Sequence, residues 1–158
     1  MATKLNTNGS ASALPTSSCN VIPFRRRERR MELAAPLPDE SMKPSQYARA
    51  WTTLCCQAEE AVAYRQYVEA RWLVLSHTDP AEAERYNSER EPAFQRMLAF
   101  VNLVASFPVP RNRAPMTASH IARKKRIIGP VWLRAEGPRY AAYRASVAAD
   151  EAMLALRN

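Results

Sequence analysis

The 158 residues suffice for one ordinary domain, and their 47% apolar and 24% charged content excludes a wholly unfolded chain. Twelve prolines against three glycines (Gly9, Gly129 and Gly137) argue against a β-rich fold, whose tight turns want glycine, and for helices punctuated by proline. The net charge of +8 is unevenly placed: residues 1–44 hold seven Lys/Arg against four Asp/Glu, residues 45–107 six against eight, and residues 108–158 ten against three. Two basic ends flank a slightly acidic middle, a distribution suited to meeting phosphate or an acidic protein surface.

Residues 1–44 are polar and broken by Pro15, Pro23, Pro36, Pro38 and Pro44, with too little apolar area to offset the entropy of ordering. They are expected to form a disordered basic tail ahead of a single helical domain at 45–158. Within the tail lies the run Arg25, Arg26, Arg27, Glu28, Arg29, Arg30. Residues 1–27 contain no acid, as organelle transit peptides do not, yet lack the amphipathic helix of such peptides. The expected location is therefore cytoplasmic, or nuclear in a eukaryote, with an organelle transit peptide as the lesser alternative. No stretch approaches the roughly 18 apolar residues that span a bilayer, so no membrane partner is expected. Cys19, Cys55 and Cys56 are odd in number, and two are adjacent, which argues against a disulfide framework.

The spacing predicts an all-α fold, a small helical bundle built on one long helix over about 45–77 with Ser45 as its N-cap. Its apolar positions are Tyr47, Trp51, Leu54, Ala58, Ala61, Val68, Trp72 and Leu75, in steps of four and three interrupted by Arg65. A rod of that length also suits a second copy of the chain as a coiled-coil partner. Asp79-Pro80 with Glu82 ends this helix and caps the next. Ala81–Arg90 reads either as a short solvated helix or as the exposed start of a longer one, with Pro92 compatible with both. Ala93–Phe107 is apolar on most sides and is the expected buried helix.

Pro108 and Pro110 end it, and a third helix is expected from Thr117 to Ile128, closed by Gly129-Pro130. Val131-Trp132-Leu133 then packs down as a short apolar run, and a last helix spans Pro138 to about Leu156. On that helix Ala141, Ala145, Ala148 and Ala152 lie beside a stripe of Tyr140, Tyr143, Val147 and Leu154. Thr117–Arg123 resembles the first helix of a helix-turn-helix, with Ile121-Ala122 as its packed pair. The pattern then wants a small turn residue where Arg126 stands, and Gly129 comes seven positions after Ala122. No family is assigned on it.

No catalytic residue, metal site or cofactor is expected. His77 and His120 pair with no Cys or carboxylate at ligand spacing, Cys55-Cys56 is not a CxxC, and three scattered glycines make no phosphate or dinucleotide loop. The chemistry-bearing feature is Arg123, Lys124, Lys125 and Arg126 on the third helix, with Arg111, Arg113 and Arg134 near in sequence. These cations, with Arg25, Arg26, Arg27, Arg29 and Arg30, are the candidate phosphate contacts of a non-enzymatic protein that binds DNA or RNA. The alternative is a protein-interaction module that inhibits or bridges a larger complex through Tyr64, Tyr67 and Trp72 of the long helix. The first expectation requires the cations to gather on one accessible surface rather than be neutralised by internal carboxylates.

Overall fold

A computed structural model describes residues 36–132 and 138–157. Among them are four helices and no strand: α1 (Pro44–Thr78), α2 (Pro80–Ser106), α3 (Ala114–Trp132) and α4 (Pro138–Ala155). The all-α bundle on one long helix is as the periodicity predicts.

The 35 residues of α1 make a rod of about 52 Å. Of its buried positions, Trp51, Leu54, Ala58, Ala61, Val68 and Leu75 lie on the four-and-three stripe, with Ala50 and Cys55 beside it. Arg65 stands in the gap, where its guanidinium lies 5.6 Å from the Phe94 ring and 3.7 Å from the Glu69 carboxylate, so its stem covers the seam while its charge stays wet. Asp79 alone separates α1 from α2, and its carboxylate accepts from the Glu82 amide at 3.1 Å with Pro80 at the first helical position. The two helices therefore form a hairpin.

The hairpin carries two cores. Near its open end Trp51, Leu54, Cys55, Met97, Val101 and Val104 meet Ile121, Ile127, Ile128 and Val131 of α3 and Tyr143 and Val147 of α4. Each large side chain fully buried there contributes about 1.5–3 kcal/mol. Toward the Asp79 turn, Val68, Leu75, Ala83, Tyr86 and Ala93 form a second cluster with no member from α3 or α4 among the described residues. The hairpin thus projects beyond the α3/α4 pair.

Several boundaries differ from the expected ones. The fold reaches back into the segment assigned to the tail: Pro38 is buried, Leu37 packs on the main core, and the Asp39 carboxylate accepts from the Ser41 amide (3.1 Å) and hydroxyl (2.8 Å). Helix α1 begins at Pro44, with Lys43 rather than Ser45 before it, and the Gln46 side chain reaches back to the Lys43 amide at 3.3 Å.

Helix α2 runs unbroken through the exposed Pro92. Tyr86, Ala93, Met97, Val101 and Val104 stay on one buried face, whose packing outweighs the roughly 3 kcal/mol that an interior proline costs. Likewise α3 does not stop at Gly129-Pro130 but continues to Trp132, because Ile127, Ile128 and Val131 are all buried. One continuous helix where a turn would be needed excludes the helix-turn-helix.

Candidate nucleic-acid interface

The four successive cations of α3 are each met by a carboxylate from another helix. Lys124 is fully buried: its ammonium donates to Asp150 at 2.7 Å, to the Ser146 hydroxyl at 2.7 Å and to the Phe107 carbonyl at 3.2 Å. Ser146 passes the network on to the Ala105 carbonyl, and the second Asp150 oxygen accepts from the Val109 amide at 3.2 Å. Every ammonium donor is satisfied, so Lys124 ties α3 to α4 and to the end of α2 and cannot contact phosphate. This corrects its assignment as a binding residue.

Arg123 makes a two-bond fork to Glu59 of α1, at 3.1 and 2.6 Å, and donates to the Cys56 sulfur at 3.2 Å. Arg126 shares the same carboxylate at 2.9 Å. Hydrogen bonding by the two guanidiniums holds the Glu59 carboxyl below its usual value, and Glu59 raises that of Arg123. Lys125 pairs with Glu151 at 2.8 Å with both side chains half exposed, a contact worth little in water. The expected patch at 123–126 is thus largely compensated.

Cations without a carboxylate partner among the described residues stand elsewhere, Lys43 and Arg49 at the start of α1 among them, and two share one connection. Residues 107–113 connect α2 to α3, and Arg111 and Arg113 are exposed there with no carboxylate within ion-pair distance among the described residues. Arg157, just past α4, donates to the Asn112 carbonyl at 2.8 Å and reaches toward the Arg111 carbonyl at 3.4 Å. Its partners are neutral, so its charge is kept. Arg157, distant in sequence, is thus bonded to the backbone of the same connection that carries Arg111 and Arg113.

Beside them opens a cleft of about 360 Å³ between the segment leading into α1 and the α2–α3 connection. Met42, Pro44, Tyr47, Pro108 and Pro110 form its walls, and Glu40, Arg111 and Asn112 its polar rim. The Tyr47 hydroxyl donates to the Pro108 carbonyl at 2.7 Å, which ties α1 to the connection. Burial first, then Asp150 and Glu40, push this hydroxyl up to about 12, while Arg111 acts the other way. Tyr47, Glu40 and Arg111 thus share one electrostatic neighbourhood. Sequence reading picked out neither Glu40 nor Arg157, and nothing in their local spacing marks them.

The aromatic residues of the alternative reading face α2. Tyr64 donates to Glu89 at 2.6 Å, the Tyr67 and Tyr86 hydroxyls lie 3.3 Å apart, and the Arg90 guanidinium sits 3.8 Å from the Trp72 ring while bonding Glu69 at 2.9 Å. These contacts build the hairpin. Among the described residues the large apolar side chains the hairpin leaves outside are Leu73 and Val74, 57% and 58% exposed, and Tyr67, 38% exposed.

Among the described residues no group of three His, Cys, Asp or Glu could hold a metal ion, and no helix is long and apolar enough to cross a membrane. Cys55 is buried, which pushes its thiol up to about 12, far from a nucleophile at neutral pH. Arg25, Arg26, Arg27, Arg29, Arg30 and Arg134 lie outside the described residues, as does Cys19. The chain matches no family model, no curated protein and no solved structure.

Proposed function

We propose that the protein is a non-enzymatic helical binding protein for nucleic acid, DNA or RNA, holding the phosphate backbone against Arg111, Arg113 and Arg157. Arg25, Arg26, Arg27, Arg29 and Arg30 of the N-terminal segment add sequence-independent affinity. One observation carries this reading: Arg111 and Arg113 are exposed without a carboxylate partner among the described residues, and Arg157, whose partners among those residues are carbonyls, bonds to the same connection. Charges already paired inside a protein release few counterions from a polyanion, whereas unpaired ones release about one each.

Fluorescence anisotropy of a labelled oligonucleotide over a salt series tests it. The affinity should fall steeply with salt, and Arg111→Glu/Arg113→Glu should weaken binding at least tenfold and lower the salt slope by about two. Lys125→Gln should change it far less. Absence of binding at low salt, or an unchanged affinity in the double variant, rejects the reading.

A second reading, a module that contacts another protein, is favoured by Leu73 and Val74 on the projecting hairpin, with Tyr67 beside them at 38% exposure. An exposed apolar patch of this kind fits a protein partner better than a phosphate backbone. Loss of a co-purifying protein on Leu73→Glu/Val74→Glu, with oligonucleotide binding intact, distinguishes the two.

A further inference from the structure

Resting on the nucleic-acid reading, we infer that the Tyr47/Pro108 cleft accepts a single unpaired base of a polynucleotide whose flanking phosphates lie on Arg111, Arg113 and Arg157, so that the protein selects single strands over duplex.

The cleft and the arginines share a wall. Arg111 and Asn112 line the cleft, and the Arg157 guanidinium is bonded to the carbonyls of those same two residues. A ligand entering there meets flat or rigid apolar surfaces, the Tyr47 ring with Pro44 and Pro108, and then a polar rim. The volume of about 360 Å³ lies at the small end of the range for organic ligands.

The rim chemistry narrows the occupant. Glu40 offers acceptors to an exocyclic amino group, and Asn112 can both donate to and accept from a base edge. An inorganic anion would use none of the apolar wall and would be repelled by Glu40. A purely apolar side chain would leave Glu40 and Arg111 without a role. A planar heterocycle with an amide-like edge and an attached phosphate uses all three parts.

The same geometry sets the selectivity. In a duplex the base faces are stacked and the pairing edges are occupied, so no base reaches a cleft in a protein surface unless it is flipped out at a cost of a few kcal/mol. Single strands present unstacked bases, and ring contacts of this kind are sequence-tolerant. The duplex retains only the phosphate contribution.

The test uses the full chain with three labelled probes at one salt concentration: a mixed-sequence single-stranded oligonucleotide, the same sequence as duplex, and inorganic polyphosphate. Single strand should bind at least tenfold tighter than duplex. Asn112→Phe, whose ring fills the cleft, should abolish the preference, bringing the ratio of single-strand to duplex affinity to about one. Met42→Phe, which fills the cleft from the segment leading into α1, repeats the test should the first variant unfold.

Equal affinity for single strand and duplex in the wild type overturns the base cleft while leaving the phosphate surface standing. Failure of all three probes to bind at low salt removes the nucleic-acid reading itself. A free mononucleotide binding as tightly as the oligonucleotide also overturns the inference, since it assigns the cleft to a soluble nucleotide.

Discussion

Lys124 and Asp150 form a 2.7 Å ion pair with side chains 0% and 6% exposed, joining α3 to α4 beneath the α2–α3 connection. The carboxylate also holds the Val109 amide, so one buried anion satisfies two donors from different elements. Asp150→Ala leaves a buried ammonium without its counter-ion and should destabilise the fold by about 3–5 kcal/mol in urea unfolding. Lys124→Met/Asp150→Leu removes both charges and should cost less than the sum of the single changes. A loss under 1 kcal/mol for Asp150→Ala would show that water already reaches the pair.

How much of this was legible in the chain follows from where the partners lie. The seam of α1 and the Asp79-Pro80 junction are local patterns, written within one or two turns, and they fold as read. The limits of α2 and α3 are not local. Pro92, Gly129 and Pro130 are breakers by their own chemistry, overridden because Met97, Ile128 and Val131 are pulled onto residues far away in sequence. The candidate site failed in the same way. Arg123–Arg126 is conspicuous as a run, but Glu59 lies 64 residues before Arg123 and Asp150 lies 26 after Lys124. Conversely, Arg157 looks ordinary until the fold sets it on the Arg111 carbonyl.

Glu59 is the natural lever on the compensated surface. It serves Arg123 and Arg126 at once, and Arg126 is 72% exposed. Glu59→Gln frees two guanidiniums without changing the shape of the side chain. Oligonucleotide affinity at low salt should rise several-fold, with a salt slope steeper by one to two. The stability cost should stay within about 1 kcal/mol, because these groups are partly wet. An unchanged affinity would place the bound polyanion away from α3.

Trp72 separates the two readings of the long helix. Its ring packs on the second core cluster beneath the Arg90 guanidinium, which Glu69 orients. Trp72→Ala should therefore lower stability by about 2–3 kcal/mol, less than for a fully buried ring. The loss belongs to the hairpin: amide exchange should quicken around Val68, Leu75 and Tyr86 and stay slow around Val101 and Ile128. Oligonucleotide affinity measured well below the unfolding midpoint should not change.

His120 gives the fold a dependence on mild acid. Its ring meets the Trp51 indole edge-on, with centroids 5.2 Å apart, and its Nδ1 is buried with no hydrogen-bond partner among the described residues. Burial holds its pKa below the ordinary 6.5; the nearby Arg123 acts in the same direction, and the Pro110 carbonyl against it. The folded state therefore prefers the neutral ring. The resulting stability is present above pH 6.5, and it is lost as pH falls through the lower folded-state value, since the unfolded chain takes up the proton first. Urea titrations from pH 7.5 to pH 5 should show wild-type stability declining toward the acid end. His120→Phe keeps a flat ring against Trp51 and should be nearly level over that range, before most carboxylates begin to titrate. Because Pro110 adjoins Arg111, the same acidification should loosen the α2–α3 connection, seen as faster exchange of the Arg111 and Asn112 amides. Parallel pH profiles for the two proteins would rule His120 out as their source.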